Sequence, residues 1–195
     1  MRYITALYDE DFHVVARPGI KTIQDLEGKK VGFGPSTSGT FMTSSVIFDR
    51  LGITVEALDL SYDQDLQQLR EGKIDAITRV SGAPTRYLTE ISKDEALQFL
   101  DIPLVGAPYK GKYPSLIALG DQVSSIAVAS VMAAYNWPVD SPRRQKVQRL
   151  VDTLSVRLDE LKVEPHHPKW NLVDMTTDLD GWQRWTKMSG QEPQS

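Results

Sequence analysis

The chain has 195 residues, 41% of them apolar and 25% charged, with a net charge of −4 and no cysteine. That length suits one good-sized domain or two small lobes. The composition excludes disulfides, thiolate metal sites and cysteine catalysis, and the scattered lysines and arginines exclude the clustered positive face that a nucleic acid needs.

The N-terminal "MRYITALYDEDF" has no basic start, apolar stretch and small-residue cleavage site of a secretory leader. "FHVVA" (12–16) then reads as a strand. Thr22 is placed to cap a one- or two-turn helix that Gly28 stops. "KVGFG" (30–34) is a second strand. Thr40 to Leu51 is a predicted helix, with Phe41, Ser45, Phe48 and Leu51 on one stripe and Gly52 at its end. "ITVEALDL" (53–60) is a third strand. Ser61 caps a helix through Arg70, with Leu66 and Leu69 facing inward. "KIDAITRV" (73–80) is a fourth strand, "SGAPTRYLTEIS" opens a helix with Pro84 near its first turn, and "ALQFLDI" (96–102) is a fifth strand.

Strand and helix alternate at the spacing of βαβ units, so a parallel sheet flanked by helices is expected. The regularity breaks after Pro103 in a Gly- and Pro-rich stretch. Residues 124–137 form a buried strand or a helix, and length alone does not choose between them. Their apolar run "IAVASVMAAY" falls well short of the roughly 20 residues a membrane helix requires. Ser141-Pro142 starts a clear helix, with Val147, Leu150, Val151, Leu154, Leu158 and Leu161 on one apolar stripe. Trp170, Trp182 and Trp185 are spaced along a polar tail, as residues that dock it.

The chemistry concentrates in "VGFGPSTSGTFMTSS" (31–45). Gly34, four residues, Gly39 and Thr40 approach the spacing of a phosphate-cradling loop, but the lysine that should follow the second glycine is missing. A dinucleotide fingerprint fails too, since Thr37 stands where its third glycine belongs. The loop runs from a strand into a helix start, where unpaired amides and the helix dipole hold anions. Ser36, Thr37, Ser38 and Thr40 add hydroxyls, and Gly39 allows close approach to the backbone. Neutral donors in this number suit a carboxylate. A Ser/Thr-rich loop that caps a helix and holds no ligand fits the pattern equally well.

Five motifs in order resemble the TAXI subgroup of TRAP-transporter solute receptors. They are "VVAR" (14–17), "DLEGKKV" (25–31), "SGT" (38–40), "LREGKIDAI" (69–77) and "SGAP" (81–84); "VSSIAVASVMAAYNW" and "HPKWNLVD…GWQRW" follow the later part of the subgroup. The resemblance implies an α/β protein of the type II periplasmic-binding class. Residues 13–103 would form one complete mixed or parallel-sheet lobe. Residues 1–12 and 104–195 would supply a hinge segment, the remainder of an incomplete second lobe and a C-terminal tail. It also implies a non-catalytic periplasmic receptor that binds a small organic acid or amino acid without cofactor or metal and delivers it to TRAP membrane permease subunits.

The ligand carboxylate would sit on Ser36, Thr37, Ser38, Gly39 and Thr40, with Ser81, Gly82 and Tyr113 at the cleft. Family members carry a leader and a further half-lobe before the segment where this chain starts, so a truncated chain is expected, with self-association through residues 110–161. Of the remaining residues, Arg79 and Arg86 could pair with a second ligand carboxylate, surface ion pairing being their commoner fate. His13 reads as a packed or hinge histidine, His166-His167 as a tail turn, and Asp9, Glu10 and Asp11 as a solvated acidic face. Two other classes compete: a small-molecule biosynthetic enzyme on the same fold, which needs a nucleophile or base in the cleft, and the sensing module of a regulator, which needs a DNA-binding helix pair.

Overall fold

The computed structural model describes residues 1–92, 95–102, 116–118 and 122–186. In chain order the strands are β1 (Arg2–Ala6), β2 (Glu10–Ala16), β3 (Lys30–Gly32), β4 (Glu56–Leu58), β5 (Ala76–Ser81), β6 (Gln98–Phe99), β7 (Leu116–Ala118), β8 (Gln122–Ser124), β9 (Ala127–Val128) and β10 (Val131–Ala134). The helices are α1 (Gly39–Leu51), α2 (Tyr62–Arg70), α3 (Arg86–Thr89) and α4 (Pro142–Leu161). They fall into two units, one of residues 10–128 and one of residues 1–9 with 129–195.

The larger unit is built on a sheet of order β4-β3-β5-β2-β6, with β9 also paired to β2. β3 runs parallel to β4 and β5, because α1 and α2 return the chain over the sheet between them. β2 runs antiparallel to β5, β6 and β9. The expected parallel sheet is therefore mixed. No crossover helix of the β3-to-β5 kind joins β2 to its neighbours, so nothing forces it parallel. Apart from Glu10, every β2 residue is buried, as a strand covered on both faces must be. Alternate residues divide two cores. Phe12, Val14 and Ala16 pack with Val31, Phe33, Ile47 and Phe48 on the α1 side. Val15 and Ile77 pack with Leu66, Leu69 and Leu88 on the α2–α3 side.

Local signals fix the element ends. Thr22 closes a capping box on a short 3-10 helix, Ile23–Leu26. Ser61 does the same for α2, and Gly52 ends α1 in the left-handed conformation. Burial phases depart from the sequence reading. The buried face of α1 is Thr40, Ser44, Ile47 and Phe48, not the stripe through Ser45. Its inward hydroxyls are satisfied: Ser44 Oγ donates to the Thr40 carbonyl and meets Thr78 Oγ1 at 2.8 Å, and Thr78 Oγ1 donates to the Gly32 carbonyl. The helix expected in SGAPTRYLTEIS shrinks to the four residues of α3, beginning after a cis Ala83–Pro84 bond.

In the smaller unit β1 pairs antiparallel with β10, so the strand alternative holds for that part of residues 124–137. Trp185 is buried, donating its amide to the Tyr3 carbonyl and its indole N–H to Gln148 Oε1, whereas Trp182 is exposed. Of the α4 stripe only Leu154 is buried. Leu150 is half exposed and Val156 is 83% exposed. A two-stranded sheet presents too little apolar surface to cover a twenty-residue helix.

Candidate functional site

Loops 33–38, 59–61 and 82–85 follow the carboxyl ends of β3, β4 and β5, so they gather at one edge of the sheet, where ligands enter open α/β folds. Gly34 adopts φ +74°, and a Cβ there would lie 2.5 Å from the Tyr62 ring. Conformation and space both demand glycine. The loop closes on itself when the Ser38 amide donates to the Pro35 carbonyl, and Ser38 Oγ caps α1 by accepting from the Phe41 amide.

Among the described residues, the amides of Thr37, Gly39 and Thr40 donate to no protein acceptor, and a Cβ on Gly39 would meet only open space. The Ser36 amide is already engaged by Asp59 Oδ1 at 2.8 Å. The Ser36 hydroxyl and amide hold the Asp59 carboxyl below its ordinary range. The chain's own carboxylate thus sits on one donor of the loop. The Thr40 hydroxyl is buried and accepts from the Val80 amide (3.2 Å) and Tyr62 Oη (3.3 Å), tying the start of α1 to β5 and α2. Thr40 keeps its backbone amide and its hydroxyl proton unspent.

Arg79 lies on the α2–α3 side of β5. Its guanidinium carbon is 3.2 Å from the Tyr62 ring centroid and 5.0 Å from that of Tyr87, and Tyr87 Oη donates to the Tyr62 carbonyl. Nε and Nη1 of Arg79 are buried without a hydrogen-bond partner. Tyr62 therefore joins the two halves of the site: its hydroxyl holds the start of α1 and its face carries the cation. Behind Arg79 lies Asp65, 1% exposed, with neither carboxylate oxygen hydrogen-bonded. Burial pushes its carboxyl up to about 7, against the opposing pull of the Gly34 amide and the Arg79 guanidinium.

Ser81 ends β5 on the same side as Arg79. Its hydroxyl is buried without a partner, and His13 Nε2 lies 3.1 Å from its carbonyl. Gly82 follows, and the next amide, of Ala83, donates to Asp11 Oδ2. Asp11 is buried rather than part of a solvated acidic face; β2 runs opposite to β5 and brings Asp11 beside Ser81. His167 caps the 3-10 helix Pro168–Leu172 and stacks on Tyr8 in the smaller unit. Tyr113 and the Arg86 side chain lie outside the described residues. Sequence reasoning missed Tyr62, Asp65, Tyr87 and Asp59. Asp65 carried a legible signal, since it stands four residues before Leu69 on the inward stripe of α2.

Residues 1–107, more than half of the chain, match the NMT1-like family, and the chain belongs to that family. Among solved structures it is similar to an ancestral arginine-binding protein bound to arginine, with 17% identity and a TM-score of 0.45 over 78% of this chain and 57% of that one. It is also similar to the arginine-, lysine-, histidine-binding protein ArtJ of Geobacillus stearothermophilus, with 13% identity and a TM-score of 0.47 over 82% and 59% of the two chains. A TctC solute-binding protein from Polaromonas gives 16% identity and a TM-score of 0.45 over 77% and 54%. The chain spans less than three fifths of the length of each.

Proposed function

We propose that the chain is the acid-gripping portion of an extracytoplasmic solute receptor, of the TAXI type that serves TRAP transporters, binding a small carboxylate-bearing solute without chemistry. The observation that carries this is Arg79: a cation stacked on two tyrosines at the carboxyl edge of the sheet, with Nε and Nη1 donating to no described residue. Leaving such donors buried and unpaired costs about 1–3 kcal/mol, a cost that a ligand oxygen accepting a charge-assisted bond from either nitrogen lowers. The open amides at the start of α1 supply further neutral donors, and Ser81 and Gly82 form the neighbouring turn. Family membership and the amino-acid and solute receptors among the similar structures support the reading. Periplasmic location and delivery to a TRAP permease belong to the same proposal, as do the lobe of residues 13–103 and a cleft role for Tyr113.

The enzyme alternative is the weaker one. His13 faces the Ser81 carbonyl rather than its hydroxyl, so this pair lacks the contact by which a base activates a nucleophile. A thermal-shift and calorimetric panel of amino acids and oxo-acids tests the receptor reading. At least one should bind without turnover, and a panel with no binder contradicts it. Asp59→Ala is expected to tighten acid binding about threefold, by freeing the Ser36 amide from an exposed competitor of modest strength. Unchanged calorimetric affinity would mean that Ser36 takes no part.

Self-association through residues 110–161 belongs to the same proposal, with Leu150 the exposed residue of the α4 stripe. Light scattering should show association that Leu150→Lys reverses. A clean monomer in the unmodified protein removes this part of the proposal.

A further inference from the structure

Asp65 is placed as no ordinary surface carboxylate would be. It lies on the inward stripe of α2 and is 1% exposed. Its carboxylate rests against the Cα of Gly32, where any Cβ would collide with it. Among the described residues, β5 supplies the Arg79 guanidinium that acts on it, and α3 supplies Tyr87, which feels its charge. Tyr62, on its own helix, carries the Arg79 guanidinium on its ring, and Asp63 acts on Tyr87. β3 and the loop after it contribute only backbone at Gly32 and Gly34. The next cation on α2, Arg70, is committed to Glu95 at 2.6 Å.

Two unsatisfied partners thus lie on the same side of the sheet: an acid with only the Gly34 amide drawn toward it and a guanidinium with two unspent nitrogens, Nε and Nη1. An ionised Asp65 attracts that guanidinium, and at low dielectric the attraction is strong. A ligand carboxylate needs the same N–H groups. We propose that Asp65 is an internal rival of the ligand's carboxylate for Arg79, and that a proton taken up by Asp65 releases the guanidinium to the ligand. The inference rests on the receptor reading and deepens it: the site takes up an acid anion together with one proton. Linkage makes the effect reciprocal, so a bound acid strengthens proton binding at Asp65 by the same factor.

The probe is L-glutamate, whose own charge is constant across the working range of about pH 5.5 to about pH 8.5. Calorimetry should show the unmodified protein binding it about tenfold tighter at the acid end, one decade per unit of proton-affinity change. Asp65→Asn, which cannot ionise, should bind equally at both ends and match the acid-end affinity of the unmodified protein. A measurement that needs no variant runs beside it. The carboxyl carbon of Asp65, followed by NMR, should titrate near neutrality and move to higher pH when L-glutamate is added. The inference is overturned by pH-independent affinity, by an Asp65→Asn protein that keeps the original pH dependence, or by a carboxyl carbon that titrates in the ordinary acid range. It is also overturned if L-glutamate binds at neither pH. The receptor reading stands or falls separately, on the acid panel.

Discussion

Arg79→Met is expected to weaken binding of whichever acid the panel identifies by about 30- to 100-fold, while the protein stays folded. The loss corresponds to about 2–3 kcal/mol, the range for a hydrogen bond to a charged group. Methionine keeps the stacking on Tyr62 and Tyr87, since its thioether packs well against aromatic rings. It also removes buried N–H groups that have no partner, so stability should hold or rise. Arg79→Lys retains the charge but not the planar fork, and should recover only part of the affinity. The comparison separates a binding role from a structural one. Calorimetry and a melting curve on the two variants provide the check. Equal affinity in Arg79→Met and unmodified protein would remove Arg79 from the site, and loss of folding in the Met variant would make it a structural residue instead.

Asp65→Asn is expected to stabilise the protein by about 4 kcal/mol near pH 8, with the gain falling to about 2 kcal/mol near pH 5. The native carboxyl ionises at about 7 against 3.8 for the ordinary group, with burial as the first cause. Between those values the native state holds a proton that the unfolded chain has lost. Stability therefore rises as pH falls through 7 and levels off below the unfolded value, whereas above 7 the buried charge is carried at full cost. Asparagine avoids the ionisation at every pH, so the gap between the two proteins opens as pH rises. Urea unfolding at several pH values measures it. Parallel stability profiles for the two proteins between pH 5 and 8 would show that Asp65 carries no unusual proton affinity.

Much of the fold was legible because its signals are local. Thr22, Ser61 and Ser141 stand at helix starts where their side chains accept from the first-turn amides, and Gly52 stands where a left-handed residue is needed. What was not legible is set by contacts distant in sequence. The direction of β2 depends on its pairing with β5, and nothing within EDFHVVA encodes it. The buried face of α1 includes Ser44 because Thr78, on β5, offers a partner. The α4 stripe has the pattern of a core helix, yet only Leu154 is fully buried, Leu150 is exposed and the rest is half-buried, since periodicity reports capacity for burial and not the presence of a cover.

The candidate site divides in the same way. The Ser/Thr loop was visible from composition and from its place before a helix. Its relation to Arg79 was not, because Tyr62, the residue joining them, reads as an ordinary first-turn tyrosine until the fold lays its ring beneath the guanidinium. Asp65 was passed over because a charged residue on a helix is normally solvated. Its inward position became meaningful only with Gly32, Gly34 and Arg79 around it.

The most direct measurement is an amide chemical-shift map of the protein titrated with the acid that the panel selects. The account predicts the largest changes at the amides of Thr37, Gly39, Thr40, Ser81 and Gly82 and at Arg79 Nε. Saturable binding that leaves those signals unmoved and shifts residues elsewhere, such as the hollow lined by Arg17, Leu69, Arg70 and Leu97, would contradict it.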